Sequence, residues 1–136
     1  MKNNAVISIC SKQNNDEGIE VVTPGRFYQE DGIYYAVYEE TEASGMEGTT
    51  TKLEIKEYGF SLIREGTIST VMNFKRNHQE DILYSTPHGG LSLKLRTKHI
   101  DVERNDNEVK LYVEYDMLIK GQEPLNTILN ANIKLK

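Results

Sequence analysis

A chain of 136 residues has the length of one domain, and 38 % apolar with 27 % charged residues is an ordinary water-compatible balance, so a single domain over 1–136 is expected. No run approaches the roughly 20 apolar residues of a membrane span, which argues against membrane insertion. The formal charge of −5, with acidic and basic residues interspersed, lacks the basic face and high pI of a nucleic-acid surface, so no nucleic-acid partner is expected.

The start, Met1-Lys2-Asn3-Asn4, leads into too few apolar residues for a signal-peptide core. The single cysteine, Cys10, allows no internal disulfide, which fits a reducing cytoplasm. Helix periodicity is nearly absent. Apolar residues alternate with period two and the alternation ends in turn residues, as in half-buried strands. Ala5-Val6-Ile7-Ser8-Ile9 opens the series and Asn14-Asn15-Asp16-Glu17-Gly18 closes it as a turn. Residues 19–28 follow, and Pro24-Gly25 inside them marks a bulge or an edge position. Glu30-Asp31-Gly32 predicts a hairpin, because Asp-Gly supplies the positive φ angles of a tight turn. Residues 33–42 form a strand with three of the eight tyrosines and a carboxylate cluster at its end. The segment 43–48 is a flexible connection.

Residues 49–56 alternate cleanly, with Thr49, Thr51, Leu53 and Ile55 on one face. Tyr58-Gly59 turns the chain into Phe60-Ser61-Leu62-Ile63-Arg64, and Glu65-Gly66 reads as a two-residue turn before 67–75. Arg76-Asn77-His78-Gln79-Glu80 is a polar loop, residues 82–86 return, and Pro87-His88-Gly89-Gly90 breaks the ladder. Leu91, Leu93 and Leu95 alternate next, and 99–104 read as a separate short strand. Val109, Leu111, Val113, Tyr115, Met117 and Ile119 make the longest inward face, and the alternation of 125–135 completes the chain. About eight to ten short strands joined by short turns make an all-β, antiparallel up-and-down meander. Such a meander removes its edges best by closing into a barrel; a two-sheet β-sandwich is the alternative.

Several pieces together resemble the YwiB-like family of uncharacterised bacterial β-barrel proteins. They are Tyr35 through Tyr38-Glu39-Glu40-Thr41-Glu42, Thr49-Thr50-Thr51, Leu62-Ile63-Arg64-Glu65-Gly66 and Phe74, then Tyr84 through Leu91, Thr97 and Tyr115. The chain departs from that pattern at His88-Gly89-Gly90, where the family usually has one glycine preceded by an aromatic residue. The resemblance implies a cytoplasmic bacterial protein with a small calycin (lipocalin-like) barrel and no assigned activity, and it carries over no catalytic residue. It also marks Tyr38 and Glu40 as inward at a barrel mouth. The alternation by itself leaves open which face of 33–42 points in, since Ile33, Tyr35 and Val37 share one side and Tyr34, Ala36 and Tyr38 the other.

Arg64 shares its alternation with Phe60 and Leu62, which points it inward. A desolvated guanidinium requires a partner, and Glu39, Glu40 and Glu42 are the available carboxylates. Tyr38, Tyr84 and Tyr115 would add polar handles inside an apolar cup. Tyr38, Glu40, Arg64, Tyr84 and Tyr115 are therefore the expected ligand-binding group, for a small anionic or polar molecule. The alternative is an internal ion-pair and hydroxyl network that plugs the barrel.

No cofactor or metal is expected. His78, His88 and His99 lack ligand spacing, and the acidic run at 39–42 with Glu47 lacks the pattern of a calcium loop. A serine elbow and a phosphate-cradling glycine loop are missing too. The leading reading is a non-enzymatic barrel, either a small-ligand binder or a partner-binding scaffold. An enzyme using the Arg64, Glu40 and tyrosine group on an anionic substrate is the competing class. A third is a structural or self-association module, with Tyr112 and Leu118 on an otherwise charged face, together with the asparagine-rich last strand, marking a candidate homodimer surface.

Overall fold

A computed structural model describes residues 3–14 and 16–136. Met1-Lys2 and Asn15, part of the predicted 14–18 turn, lie outside the described residues. The described chain is all-β. Its strands are β1 (Ala5–Gln13), β2 (Ile19–Glu30), β3 (Ile33–Glu39), β4 (Thr49–Lys56), β5 (Gly59–Gly66), β6 (Thr70–Lys75), β7 (Gln79–Thr86), β8 (Gly89–Arg104), β9 (Glu108–Leu118) and β10 (Leu125–Leu135). One short 3-10 helix, Glu42–Ser44, lies between β3 and β4.

All ladders are antiparallel, in the order β6-β5-β4-β3-β2-β1-β10-β9-β8-β7. The meander thus closes through its first and last strands, with Ala5 opposite Leu135 and Gln13 opposite Thr127. The seam falls in mid-chain, where no ladder joins β6 to β7. A single bridge, Ser69 with Ser85, holds one end of the seam through two backbone hydrogen bonds of 3.0 and 2.9 Å. Nearer the connecting loop, the Glu80 carboxylate accepts a hydrogen bond from the Asn73 backbone N–H at 3.3 Å. The result is a nearly closed ten-stranded barrel.

Strand β2 bends the barrel wall. Its first half pairs with β1 up to Gly25 opposite Ala5, and its second half pairs with β3 from Arg26 opposite Val37 onward. Pro24, which has no N–H to donate, sits before the second ladder begins, so the expected edge character is local to this handover. Gly25 is required there by space: a Cβ would come within 2.3 Å of Ile7 Cδ1 and 2.8 Å of the Val37 carbonyl oxygen. The Asp31-Gly32 hairpin forms as expected, with φ of 53° and 81°.

Several local expectations are displaced: the strand expected over 33–42 ends at Glu39, the one expected from 67 begins at Thr70, and Gln79-Glu80, expected in a polar loop, open β7. Glu65-Gly66 is not a turn but the end of β5, because Gly66 pairs with Thr49 and Glu65 with Thr50. Gly89-Gly90 does not break a ladder but starts β8, opposite Thr86 and Ser85, leaving Pro87-His88 as the hairpin loop. The segments 91–96 and 99–104 are one 16-residue strand, kept continuous by a bulge between Thr97 and His99 that restores the inward alternation at Ile100.

The interior is largely filled at one end. Phe60 lies against Phe74 with ring centroids 5.2 Å apart, and Phe27 stacks on Tyr34 at 5.5 Å. The guanidinium of Arg104 covers the Tyr34 ring at 4.8 Å, beside a smaller cavity of about 210 Å³ at that end. Toward the other end the inward side chains leave space.

Candidate functional site

That space is a cavity of about 410 Å³ at the barrel end where β3, β5, β7 and β9 finish. All five residues expected from the sequence, Tyr38, Glu40, Arg64, Tyr84 and Tyr115, line it. Ladder register explains the convergence. Tyr38 stands opposite Thr51, Thr51 opposite Arg64, and Arg64 opposite Thr70, so one inward row crosses four strands. On the facing wall Tyr115 stands between Thr97 and Thr127. The walls between are apolar, with Ile9, Val21, Leu93, Met117 and Leu129 prominent.

Glu40 continues the inward alternation of Tyr34, Ala36 and Tyr38 one step past β3. Its N–H donates to the Thr49 carbonyl at 2.8 Å, which keeps it in ladder geometry. Its side chain is only 2 % exposed and accepts a 2.6 Å hydrogen bond on Oε2 from the Thr51 hydroxyl. Glu39 points the other way and accepts from Thr50 at 2.9 Å, so the acidic run splits across the wall instead of gathering into a cation site. Thr41 then caps the 3-10 helix: its hydroxyl accepts from the Ala43 N–H at 3.3 Å, and its carbonyl accepts from the Ser44 hydroxyl at 3.0 Å. This short turn brings Ser44 and Met46 to the rim of the cavity, two contributors that sequence reasoning left in a flexible connection.

Arg64 and Glu40 form a loose pair. Nε of Arg64 lies 3.7 Å from Oε2 of Glu40, and the Arg64 side chain is 14 % exposed. Nε is buried and has no hydrogen-bond partner among the described residues. Tyr38 and Tyr115 are held neutral. Burial, and after it the Glu40 carboxylate, raise the Tyr38 phenol well above its ordinary range. Burial pushes the Tyr115 hydroxyl up to about 12, against the opposing pull of Arg64. At neutral pH both therefore offer O–H donors and not phenolate bases.

The histidines lie elsewhere. His78 pairs with Glu80 at 2.5 Å beside the seam, while His88 and His99 are exposed. Among the described residues no group of three or more His, Cys, Asp or Glu side chains is placed to hold a metal ion. No helix is long and apolar enough to cross a membrane. Tyr112 and Leu118 are half-buried on the outer wall, where Tyr112 borders a shallow groove with Cys10 and Asn130.

Comparison with known proteins supports the architecture. Residues 5–130 match the model of a family described as a domain of unknown function, DUF1934. The uncharacterized beta-barrel protein YwiB of Bacillus subtilis (strain 168) is 24 % identical over 119 residues, covering 87 % of this chain and 82 % of YwiB. The crystal structure of the ywiB protein from Bacillus subtilis superposes with a TM-score of 0.85 at 19 % identity, covering 98 % of this chain and 92 % of that one. A family match over nearly the whole barrel, together with the shared fold, means that the chain belongs to the YwiB-like family of β-barrel proteins, the DUF1934 domain family.

Proposed function

We propose that this protein is a non-enzymatic, cytoplasmic barrel of calycin-like design that holds a small anionic or polar molecule in its open half. Tyr38, Glu40, Arg64, Tyr84 and Tyr115 bind the polar part. One observation carries this reading: a largely buried guanidinium whose Nε has no hydrogen-bond partner lines a cavity of about 410 Å³. A purely structural plug would saturate such a group, because a buried donor left unpaired costs about 1–3 kcal/mol. The volume falls in the range usual for small-molecule sites, and so does the mix of apolar walls with a few converging polar groups. The raised phenols of Tyr38 and Tyr115 favour a binding role over acid–base work at neutral pH.

Native mass spectrometry of freshly purified protein and thermal-shift assays across a metabolite panel test this. A bound small-molecule mass, or a stabilising ligand whose effect disappears in Arg64→Met, is the expected result. A clean unliganded mass with no stabilisation across the panel would overturn the reading.

A further inference from the structure

The cavity contains one charge of each sign. Glu40 and Arg64 are the carboxylate and the cation among its described lining, 3.7 Å apart. The remaining polar groups there, the three tyrosine hydroxyls with Ser11, Gln13 and Ser44, are uncharged. A singly charged anion brought to Arg64 gains that attraction but meets Glu40 at nearly the same distance. Coulomb terms of opposite sign at similar range largely cancel, while the cost of taking a net charge out of water remains. A singly charged cation meets the mirror problem. A molecule carrying both charges close together avoids each penalty. It leaves the cavity neutral, supplies an acceptor to the buried Arg64 Nε and gives Glu40 a cationic partner of its own.

We infer that the occupant is a compact zwitterion with an apolar body, its anionic group on Arg64 and its cationic group on Glu40. An apolar α-amino acid is the simplest member of that class. The apolar body lies against Ile9, Val21, Leu93, Met117 and Leu129, which give the walls no charge to read. This inference rests on the ligand-binding reading above and narrows it, selecting the net-neutral polar ligand over the anionic one. The Arg64–Glu40 pair is then a two-point charge reader and not merely a closed ion pair. The tyrosines orient the head group by hydrogen bonds without adding charge.

Three probes of one shape separate the charges: phenylalanine, 3-phenylpropanoate and phenethylamine, titrated calorimetrically at neutral pH. The neutral dye N-phenyl-1-naphthylamine reports independently, by fluorescence, whether the cavity admits an apolar body. The expected result is that phenylalanine binds at least about tenfold tighter than either analogue. In Glu40→Gln, whose amide oxygen can still accept from Thr51, the order should reverse in favour of 3-phenylpropanoate. Equal binding of phenylalanine and 3-phenylpropanoate overturns the inference, as does an unchanged order in Glu40→Gln; in either case the ligand-binding reading survives. Dye binding without binding of any of the three probes has the same consequence. If neither dye nor probe binds, the ligand-binding reading falls together with the inference.

Discussion

Asp116 shows how single residues on the outer wall tie strands together. Its Oδ2 accepts a 2.7 Å bond from Arg96 on β8, and its Oδ1 accepts a 3.0 Å bond from the Asn126 side chain on β10. Burial alone would raise its pKa. The hydrogen bonds from Arg96 and Asn126, with Lys98 nearby, outweigh burial and hold the carboxyl below its ordinary 3.8. A depressed folded pKa means that the unfolded chain binds the proton more readily. The carboxylate's contribution is therefore complete above 3.8 and is lost as pH falls through the lower folded value. Arg96 is half exposed, so solvent screening keeps the term small. Asp116→Asn should cost about 1 kcal/mol in urea unfolding at neutral pH, and the gap to wild type should close as the pH drops below the carboxyl range. A gap that persists unchanged into acid would show that the carboxylate charge is not what Asp116 contributes.

At the scale of elements, β2 shows how strand geometry limits substitution. It serves β1 with one half and β3 with the other, and Gly25 sits at the handover with no room for a side chain. Gly25→Ala should destabilise by about 1–3 kcal/mol, since the added Cβ meets both the Ile7 side chain and the Val37 backbone. Ile7→Val alone should cost about 0.5–1.5 kcal/mol by leaving a small void. It also removes the nearest clashing atom. The double variant should therefore lose measurably less than the sum of the singles in denaturant titrations, whereas strict additivity would place the Gly25 constraint elsewhere. The strands themselves were legible because alternation and turn residues are local. What escaped were the junctions decided by a distant partner. Glu65-Gly66 reads as a turn until Thr49 and Thr50 claim it, and 91–104 reads as two strands until β9 runs alongside with its bulge. The site followed the same division. Arg64 was inward by simple alternation. The inward face of β3 was undecidable locally because both faces are aromatic, and Thr51 could not be named as the partner of Glu40 without the β3–β4 register.

The whole molecule is a ring of ladders with one gap, and the gap lies between sequence neighbours. The first and last strands share a full ladder, and the Lys136 N–H donates to the Asn4 carbonyl at 3.0 Å, so Asn4 and Lys136 lie side by side in the wall. Strands β6 and β7 follow one another directly in sequence yet share no ladder: the Ser69–Ser85 bridge beside β6, the Glu80 hydrogen bonds to Asn73 and core packing join them. The hairpin between them therefore contributes little ladder energy. In antiparallel barrels most stabilisation comes from paired strands and the core they enclose, with short connections adding chiefly a modest loop-closure term. A circular permutant with residues 136 and 1 joined by a short glycine-serine linker, and new ends opened at Asn77, removes that hairpin and no ladder. It should fold to the same barrel, with an unchanged circular dichroism spectrum and a melting temperature lowered by only a few degrees. A second permutant opened at Asp106 cuts the turn between β8 and β9, which share a long ladder, and should lose considerably more. Equal losses in the two would mean that the seam is as strongly joined as the rest of the wall. The seam permutant also bears on the cavity. Arg64 borders both the cavity and the outer groove along the seam, so new ends at Asn77 that left the fold intact but changed ligand affinity would mark the seam as part of the cavity wall.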